Sequence, residues 1–337
     1  MKLIINKINY WLTFPVCLAI FLMWLPASGF AQNDSIPVKN ETSLPAKIKP
    51  VKNTFQSVWI IDNQTVLVPV KGTLEIDIMH RFGTWKKGYE DFWGLFAPSN
   101  IRLGVNYSPI NRLNLGIGIT KEKMLWDASA KYSIITQTKG QYPVSVTFYS
   151  NVAYVGTKSK YSVPKVDNSG IEYLEEKHNT DRFLFFQQLI IARKITDKLS
   201  VQIAPSWTHQ NAVGGYYTKN DSTGKEIFKS MKHDHFALSV AARYKLTNVT
   251  SLMLNYDQPL TQHPTNNPNP NLSFGVEFNT SSHSFQLFFG NYYSLNQQRN
   301  NLFNQNDPFS SKKPDYVPVA IPNEFLIGFN ITRLWNY

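Results

Sequence analysis

About a dozen segments with alternating apolar and polar residues follow one another from Thr73 to the end of the chain. A period of two places successive side chains on opposite faces of a β-strand, so each segment is predicted to be a strand with one apolar face. Each is close to the roughly 9–11 residues that a tilted strand needs to cross a membrane. The predicted strands are residues 73–82, 99–108, 112–121, 124–136, 142–155, 181–194, 198–209, 234–246, 249–257, 271–279, 283–292 and 323–336.

The connections between these strands alternate between short and long, and only 121–123 departs from this order. The short ones are 108–111, 136–141, 195–198, 247–248 and 280–282, and the long ones are 83–98, 156–180, 210–233, 258–270 and 293–322. Short turns at one end opposite long loops at the other are typical of bacterial outer-membrane barrels. The sequence therefore predicts an all-β fold, a transmembrane antiparallel up-and-down β-barrel of about 12 strands over residues 73–337. A soluble β-sandwich is the alternative.

The N-terminus has the features of a secretion signal. Two lysines precede an uncharged apolar run at residues 11–25, and the small residues Gly29 and Ala31 stand where a signal peptidase recognises its substrate. The sequence predicts a signal peptide over residues 1–31 with cleavage near Ala31, and a retained membrane anchor is the alternative. The single cysteine, Cys17, lies in this segment, so the predicted mature chain has no thiol.

Two further segments separate the signal peptide from the first predicted strand. Residues 32–53 are rich in Pro, Lys, Asn and Ser, and they are predicted to form a disordered linker. Residues 54–72 are more apolar, and they are predicted to form a periplasmic segment that leads into the barrel. The sequence does not decide whether residues 55–70 plug the barrel.

A membrane barrel turns its apolar face to lipid, so the polar alternates are predicted to line the lumen. The candidate lumen charges are Glu75, Asp77, Arg81, Arg102, Asp127, Lys131, Arg243, Lys245, Asp257 and Glu277. Arg81 and Arg102 are predicted to lie at adjoining extracellular strand ends, where a cluster of the two gives a modest anion preference. Residues 183–191 are apolar on both faces, so their register is not decided.

The chain ends in an aromatic-x-aromatic sequence formed by Trp335 and Tyr337. This ending resembles the terminal strand of outer-membrane barrel proteins, in which it marks the chain for insertion. The resemblance implies recognition by the barrel-assembly machinery. The predicted partners are therefore that machinery and outer-membrane lipid, and the oligomeric state is not decided.

Other classes of function have weaker support. The formal net charge of +11 is dispersed along the chain rather than clustered, so nucleic-acid binding is not predicted. His233 and His235 could place two imidazoles on one strand face, but no Cys or further His lies nearby in sequence, so a metal site is disfavoured. No cofactor is predicted. The sequence has no Gly-x-Ser-x-Gly elbow, and we predict that the protein is not an enzyme.

Motifs within residues 71–154 resemble one known family. They are Lys71-Gly72-Thr73-Leu74-Glu75, His80-Arg81-Phe82-Gly83, Ile101-Arg102-Leu103-Gly104, Asn111-Arg112-Leu113, Leu115-Gly116-Ile117-Gly118, Lys131-Tyr132 and Pro143-Val144-Ser145. The family consists of outer-membrane β-barrel proteins of the Gram-negative Bacteroidota and is a domain-of-unknown-function family. The resemblance implies a barrel fold and an outer-membrane location over nearly the whole predicted mature chain, and it implies no substrate.

The predicted strand number bears on function. Eight-stranded barrels are filled by side chains, whereas barrels of 16–18 strands are open pores, and the predicted barrel lies between them. The sequence therefore predicts a porin-like, narrow channel or transporter for a small solute. A non-conducting structural or surface-binding barrel is one alternative, and a barrel-embedded lipid-acting enzyme is another. The sequence names no solute and does not decide whether the lumen is open.

Overall fold

Twelve antiparallel strands close into one barrel in the computed structural model. The structure describes residues 49–309 and 325–336, apart from residues 53, 159, 165–170, 176–177 and 221. The predicted signal peptide, most of the predicted linker and Tyr337 lie outside the described residues.

The described residues contain eighteen strands, which are numbered in chain order. They are β1 (Trp59–Ile60), β2 (Asn63–Gln64), β3 (Thr73–Thr84), β4 (Asn100–Ile110), β5 (Leu113–Thr120), β6 (Leu125–Ile135), β7 (Ser145–Val155), β8 (Lys160–Pro164), β9 (Ile171–Glu175), β10 (Phe183–Lys194), β11 (Leu199–Gln210), β12 (Gly215–Lys219), β13 (Glu226–Ser230), β14 (Asp234–Lys245), β15 (Thr250–Pro259), β16 (Asn271–Asn279), β17 (His283–Gly290) and β18 (Leu326–Asn336).

The barrel contains β3, β4, β5, β6, β7, β10, β11, β14, β15, β16, β17 and β18 in that order, and β18 pairs with β3 to close it. Each of the twelve predicted strands overlaps one barrel strand. For the predicted strand 271–279 the two ends coincide with those of β16. The predicted antiparallel barrel is therefore confirmed.

The connections sort to the two ends of the barrel as their lengths predict, apart from the short connection at 121–124. One end, here called the turn end, carries residues 111–112, 136–144, 195–198, 246–249 and 280–282. The other end, the loop end, carries residues 85–99, 121–124 and 260–270, together with the described residues of the connections 156–182, 211–233 and 291–325. The loop end also holds the hairpins β8–β9 and β12–β13 and one helix, α1 (Gln297–Phe303).

The outer face of the barrel is an apolar band. Val105 and Phe274 point outward and are 43% and 45% exposed, and Ile117 is 63% exposed. In a membrane barrel such a band is the surface that contacts lipid. In the part of the chain that the structure describes, no helix combines the length and the apolar character needed to cross a membrane.

The lumen is occupied by residues 54–67, which we call the plug. Nearly all of its side chains are buried, and Ile61 and Thr65 have no exposed surface. The plug contains the short hairpin β1–β2, whose turn places Ile61 at a positive φ of 61°. The question that the sequence left open is thereby answered, because this segment lies inside the barrel.

The plug enters and leaves the lumen at the turn end. On the way in, the Val51 N–H donates to the carbonyl of Gln137 at 2.8 Å. On the way out, the Gly72 N–H donates to the carbonyl of Ser108 at 2.8 Å, and β3 begins one residue later. The plug is therefore a loop inserted from one end, and it can leave by that end without crossing the barrel.

The loop end is closed by α1. Its buried side chains are Gln297, Gln298, Asn300, Asn301 and Leu302, none of them more than 5% exposed. The helix lies against the inner wall formed by β10, β11 and β14. The lumen is therefore filled by one segment from each end.

Candidate functional site

The inner wall of the barrel carries the polar side chains. Nine of the ten predicted lumen charges are at most 5% exposed, and these are Glu75, Asp77, Arg81, Arg102, Asp127, Lys131, Arg243, Asp257 and Glu277. The tenth, Lys245, is partly exposed and ends β14 at the turn end. All nine alternate with the outward apolar side chains, which places them on the face turned away from lipid.

Two ion pairs neutralise part of this charge within the wall itself. Arg102 binds Asp127 through both prongs of its guanidinium, with Nη2–Oδ1 at 2.7 Å and Nε–Oδ2 at 3.0 Å. Arg243 Nε donates to Glu277 Oε2 at 2.6 Å. Forked arginine–carboxylate pairs are among the stronger polar contacts in proteins. The cluster of Arg81 and Arg102 was predicted to favour anions, but Asp127 neutralises Arg102, so this basis for an anion preference is absent.

Two glycines of the wall make room for the Arg102 side chain. A Cβ atom on Gly118 would lie 2.3 Å from Arg102 Nη2, and one on Gly104 would lie 2.6 Å from Nη1. Neither distance is compatible with non-bonded atoms, so a larger residue at either position displaces the guanidinium. The glycines at these strand positions therefore allow the ion pair to lie flat against the wall.

Arg81 makes a different set of contacts. Its guanidinium lies over the ring of Phe288 at 4.4 Å, and Nη1 donates to Asn330 Oδ1 at 3.0 Å. The neighbouring His80 points to the outer face, where its ring stacks on Phe329 with centroids 4.9 Å apart. His80 and Arg81, which are adjacent in sequence, therefore lie on opposite sides of the barrel wall.

Five wall charges are bound by side chains of the plug, and one of them is Arg243, whose Nη2 donates to Gln56 Oε1. Trp59 Nε1 donates to Asp77 Oδ2 at 3.1 Å, and Ser57 Oγ donates to Glu277 Oε1 at 2.5 Å. Two more contacts of this kind are Asn63 Nδ2 to Asp257 Oδ1 at 2.8 Å and Lys131 Nζ to Gln64 Oε1 at 2.7 Å. The plug therefore provides hydrogen-bond partners for wall groups that would contact water in its absence.

The tip of the plug is joined to the loop end. Asp62 accepts hydrogen bonds from the Tyr292 hydroxyl at 2.7 Å and from Asn300 Nδ2 at 2.9 Å. Burial and the neighbouring Asp62 raise the pKa of Tyr292 well above its usual value, so the phenol stays protonated and donates. An ion pair joins α1 to the connection 121–124, because Arg299 Nη2 lies 2.9 Å from Glu122 Oε1. The two closing segments are therefore in direct contact.

Part of the lumen is filled by an apolar cluster. The plug residues Phe55, Ile60, Ile61 and Val66 share a buried cluster with wall side chains. The wall members are Tyr149, Phe186, Ile190, Ala192, Ala204, Ala241, Met253 and Phe288. The plug is thus amphipathic, and the wall presents both apolar and polar side chains to it, in places on one strand, because β10 carries Phe186 and Ile190 as well as Gln188.

A pocket of about 390 Å³ remains at the turn end, beside the base of the plug. It is lined chiefly by small polar side chains, among them Ser57, Asn279, Ser282, Ser284 and Thr332. A cavity of this size and polarity holds several water molecules. It forms a vestibule between the turn end and the buried part of the plug.

The two histidines considered as metal ligands do not share a site. His233 Nδ1 contacts the carbonyl of Gln210 at 2.7 Å, whereas His235 Nδ1 contacts His263 Nε2 at 2.9 Å. Burial, together with the charge of Lys232, lowers the pKa of His263, which favours its neutral form. Among the described residues no group of three or more His, Cys, Asp or Glu side chains is placed to hold a metal ion.

The sequence interpretation missed the uncharged amides of the lumen. The main ones are Gln188, Gln202, Asn255, Gln286 and Asn330, all at most 3% exposed and all in contact with the plug. They stand at the polar positions of the alternating strands, and this pattern could have predicted that they face the lumen. The role of Trp335 and Tyr337 as an insertion signal stays a prediction. Trp335 lies under the Arg333 guanidinium at 4.4 Å, and Tyr337 is outside the described residues.

The fold and the site together define a membrane-bound β-barrel whose lumen is closed by its own N-terminal segment. The family described as membrane bound beta barrel domain (DUF5777) matches residues 55–335. The chain belongs to this family, which confirms the kind of family that the motifs indicated. Its occurrence in the Bacteroidota stays a prediction. A search of curated proteins finds no match.

Several solved structures are similar to this chain in fold. The NanC porin has 10% sequence identity and a TM-score of 0.41 over 78% of this chain and 99% of its own. An outer-membrane channel from Pseudomonas putida F1 has 12% identity and a TM-score of 0.42 over 80% and 97%. The KdgM porin has 9% identity and a TM-score of 0.39 over 78% and 99%.

Proposed function

We propose that the protein is an outer-membrane channel that is closed at rest by its plug and opens when the plug withdraws through the turn end. The observation that carries this proposal is which part of the chain occupies the lumen. The polar wall is not filled by its own side chains but by residues 54–67, a separate segment near the N-terminus. Removing that segment leaves a lumen lined largely by polar groups, and it also removes the Asp62 acceptor that Asn300 of α1 contacts, so an open passage requires α1 to move as well.

The polar groups of the wall keep hydrogen-bond partners when the plug leaves and water enters. The ion pairs of Arg102 with Asp127 and of Arg243 with Glu277 lie within the wall, so they persist without the plug. Hydrogen bonds from wall to plug are exchanged for hydrogen bonds to water, and the net free energy of such an exchange is only about 0.5–1.5 kcal/mol per bond. The closed state is favoured mainly by burial of the plug's apolar side chains, at about 1.5–3 kcal/mol each.

The outer-membrane location is part of the proposal, with the turn end facing the periplasm. It rests on the predicted secretion signal and on the alternation of short turns and long loops. We expect the mature protein to begin near Gln32, after cleavage near Ala31, and mass spectrometry of the outer-membrane fraction measures this. A mature chain that retains residues 11–25 would contradict export by signal-peptide cleavage.

A non-conducting structural barrel is the second candidate. It is favoured by the contact between the plug and the loop end, where Asp62 accepts hydrogen bonds from Tyr292 and Asn300. A lumen filled from both ends in this way suits a permanent core. The two candidates differ in whether the plug ever leaves.

An engineered disulfide tests this difference. Ser57 Oγ of the plug and Ser284 Oγ of β17 are 2.6 Å apart, so cysteines at both positions can form a bond. We expect the double variant Ser57→Cys/Ser284→Cys to conduct in planar bilayers when reduced and to stay closed when oxidised. Ser57→Cys alone is the matched control, and the oxidant should leave its current unchanged. The predicted mature chain contributes no other thiol.

A second variant covers the case in which the wild-type channel opens rarely. Asp62→Ala removes the acceptor shared by Tyr292 and Asn300, so it should raise the open probability. Its matched control is Asp197→Ala, because the Asp197 side chain is fully exposed at a turn. A lack of current from both Asp62→Ala and the reduced double variant would contradict the channel and favour the structural barrel.

A further inference from the structure

Side chains of the wall hold the main chain of the plug. Gln286 Nε2 donates to the carbonyl of Trp59 at 2.8 Å, and Gln286 Oε1 accepts from the N–H of Ile61 at 3.1 Å. Asn330 Nδ2 donates to the carbonyl of Ile61 at 2.6 Å. Backbone groups must find such partners when buried, and in a sheet a neighbouring strand provides them. Here the amides of β17 and β18 take the place of that strand.

The same kind of contact continues along the plug. Four more side chains, from β6, β7, β11 and α1, donate to its carbonyls. They are Gln297 to Asp62 at 2.8 Å, Gln202 to Gln64 at 2.8 Å, Lys131 to Thr65 at 3.5 Å and Thr147 to Val66 at 3.1 Å. Every peptide carries these carbonyls, so this set of contacts recognises a main chain and not one particular side chain.

The wall also provides separate places for side chains. Ile60, Ile61 and Val66 of the plug enter the apolar cluster of the lumen. Asn63 has polar partners instead, because its amide oxygen accepts from Gln188 Nε2 at 3.2 Å and its amide nitrogen donates to Asp257. The wall therefore distinguishes an apolar pair followed by a polar residue from other orders.

The plug itself has few internal contacts. Its hairpin pairs only two residues on each strand, and one further backbone bond joins the Thr65 N–H to the Val58 carbonyl at 2.8 Å. So short a hairpin is not stable alone in water. The wall, and not the plug, therefore determines the conformation that the segment adopts.

From these contacts we infer that the inner wall is a peptide-binding groove and that the plug is its built-in ligand. The groove takes a peptide of about the plug's length that folds back on itself in a hairpin and has two adjacent apolar residues followed by an acidic or amide residue at its turn. As a statement about the transported solute, this inference rests on the proposed channel. Binding of a peptide in the groove is measurable without any current.

Cleavage of the full-length protein between the plug and β3 converts the plug into a ligand that can be exchanged. A protease site inserted between Val68 and Lys71 should be accessible, because Val70 is 58% exposed at the turn end. After cleavage of the folded protein in detergent, only non-covalent contacts hold the plug. A fluorescent synthetic peptide of residues 54–68 is then added, and its anisotropy reports binding. We expect it to displace the fragment, and a scrambled peptide of the same composition to bind about tenfold more weakly.

A wall variant tests the main-chain contacts directly. Gln286→Leu removes both bonds to Trp59 and Ile61, so the cleaved fragment should dissociate about tenfold faster, as judged by gel filtration after dilution into urea. Gln187→Leu is the matched control, because Gln187 lies on the outer face and contacts Ser150. Different gel migration before and after boiling shows that both variants are folded.

Three outcomes would overturn the inference. They are equal binding of the native and scrambled peptides, displacement of the fragment by a neutral linear oligosaccharide as readily as by the peptide, and an unchanged dissociation rate in Gln286→Leu. A barrel that binds the peptide but never conducts contradicts the proposed channel alone. A barrel that conducts but does not bind the peptide contradicts the groove alone.

Discussion

Arg102→Ala is expected to lower the free energy of unfolding by about 3–5 kcal/mol, because it leaves the Asp127 carboxylate buried without its cation. The two side chains are 4% and 1% exposed, so solvent screens this pair little. Asp127 keeps one other amide contact, from Asn151 Nδ2 at 3.2 Å, which does not replace a charge. Urea unfolding of the folded barrel in detergent, followed by tryptophan fluorescence, measures the change.

The same experiment contains its own control. Asp197→Ala breaks an ion pair with Lys194 at the turn end, where the Asp197 side chain is fully exposed. Exposed pairs contribute about 0–1 kcal/mol, so this variant should resemble the wild type. The double variant Arg102→Met/Asp127→Leu removes both charges and should recover much of the loss, since a buried pair is often matched by apolar residues. If Arg102→Ala is as mild as Asp197→Ala, water reaches the pair and the wall is not dry there.

The barrel could be predicted because its signal is local and repeated. Each strand turns apolar residues to lipid at every second position, and Leu103, Val105 and Tyr107 on β4 are all more than 40% exposed. The loop lengths added independent evidence, apart from the short connection at 121–124, which lies at the loop end with the long ones. Neither signal depends on contacts between distant parts of the chain.

The plug could not be predicted, because distant residues create its surroundings. Ser57 contacts Glu277, which follows it by 220 residues. The plug has no period of two or 3.6, so its sequence, although more apolar than the linker before it, does not show where it packs. One indirect signal existed at residues 183–191, where both faces are apolar. Phe186 and Ile190 point inward and pack against the plug, so the inner face of β10 is apolar because it contacts a buried segment.

Phe274→Arg is expected to cost about 2–4 kcal/mol, the range for a cationic side chain that faces lipid near the bilayer midplane. Phe274 is 45% exposed on the outer face, where its ring lies 5.9 Å from that of Phe289 and 6.0 Å from that of Phe325. Phe274→Leu keeps the surface apolar and is the matched control. Loss of the folded band on gels and a lower urea midpoint in lipid vesicles measure the effect.

Phe274→Arg is compared with an arginine on the inner face of the barrel. Because the lumen is filled, that arginine needs a position with free space beside it. Ser273 is next to Phe274 in sequence and lies on the inner face, but it has no exposed surface and accepts a hydrogen bond from the Tyr292 hydroxyl at 2.8 Å, so an arginine there overpacks the interior. Thr332 is the better inner site, because it lines the pocket of about 390 Å³ at the turn end. We expect Thr332→Arg to insert nearly as well as the wild type while Phe274→Arg does not. Equal tolerance of the two arginines would mean that the faces of the barrel are assigned the wrong way round.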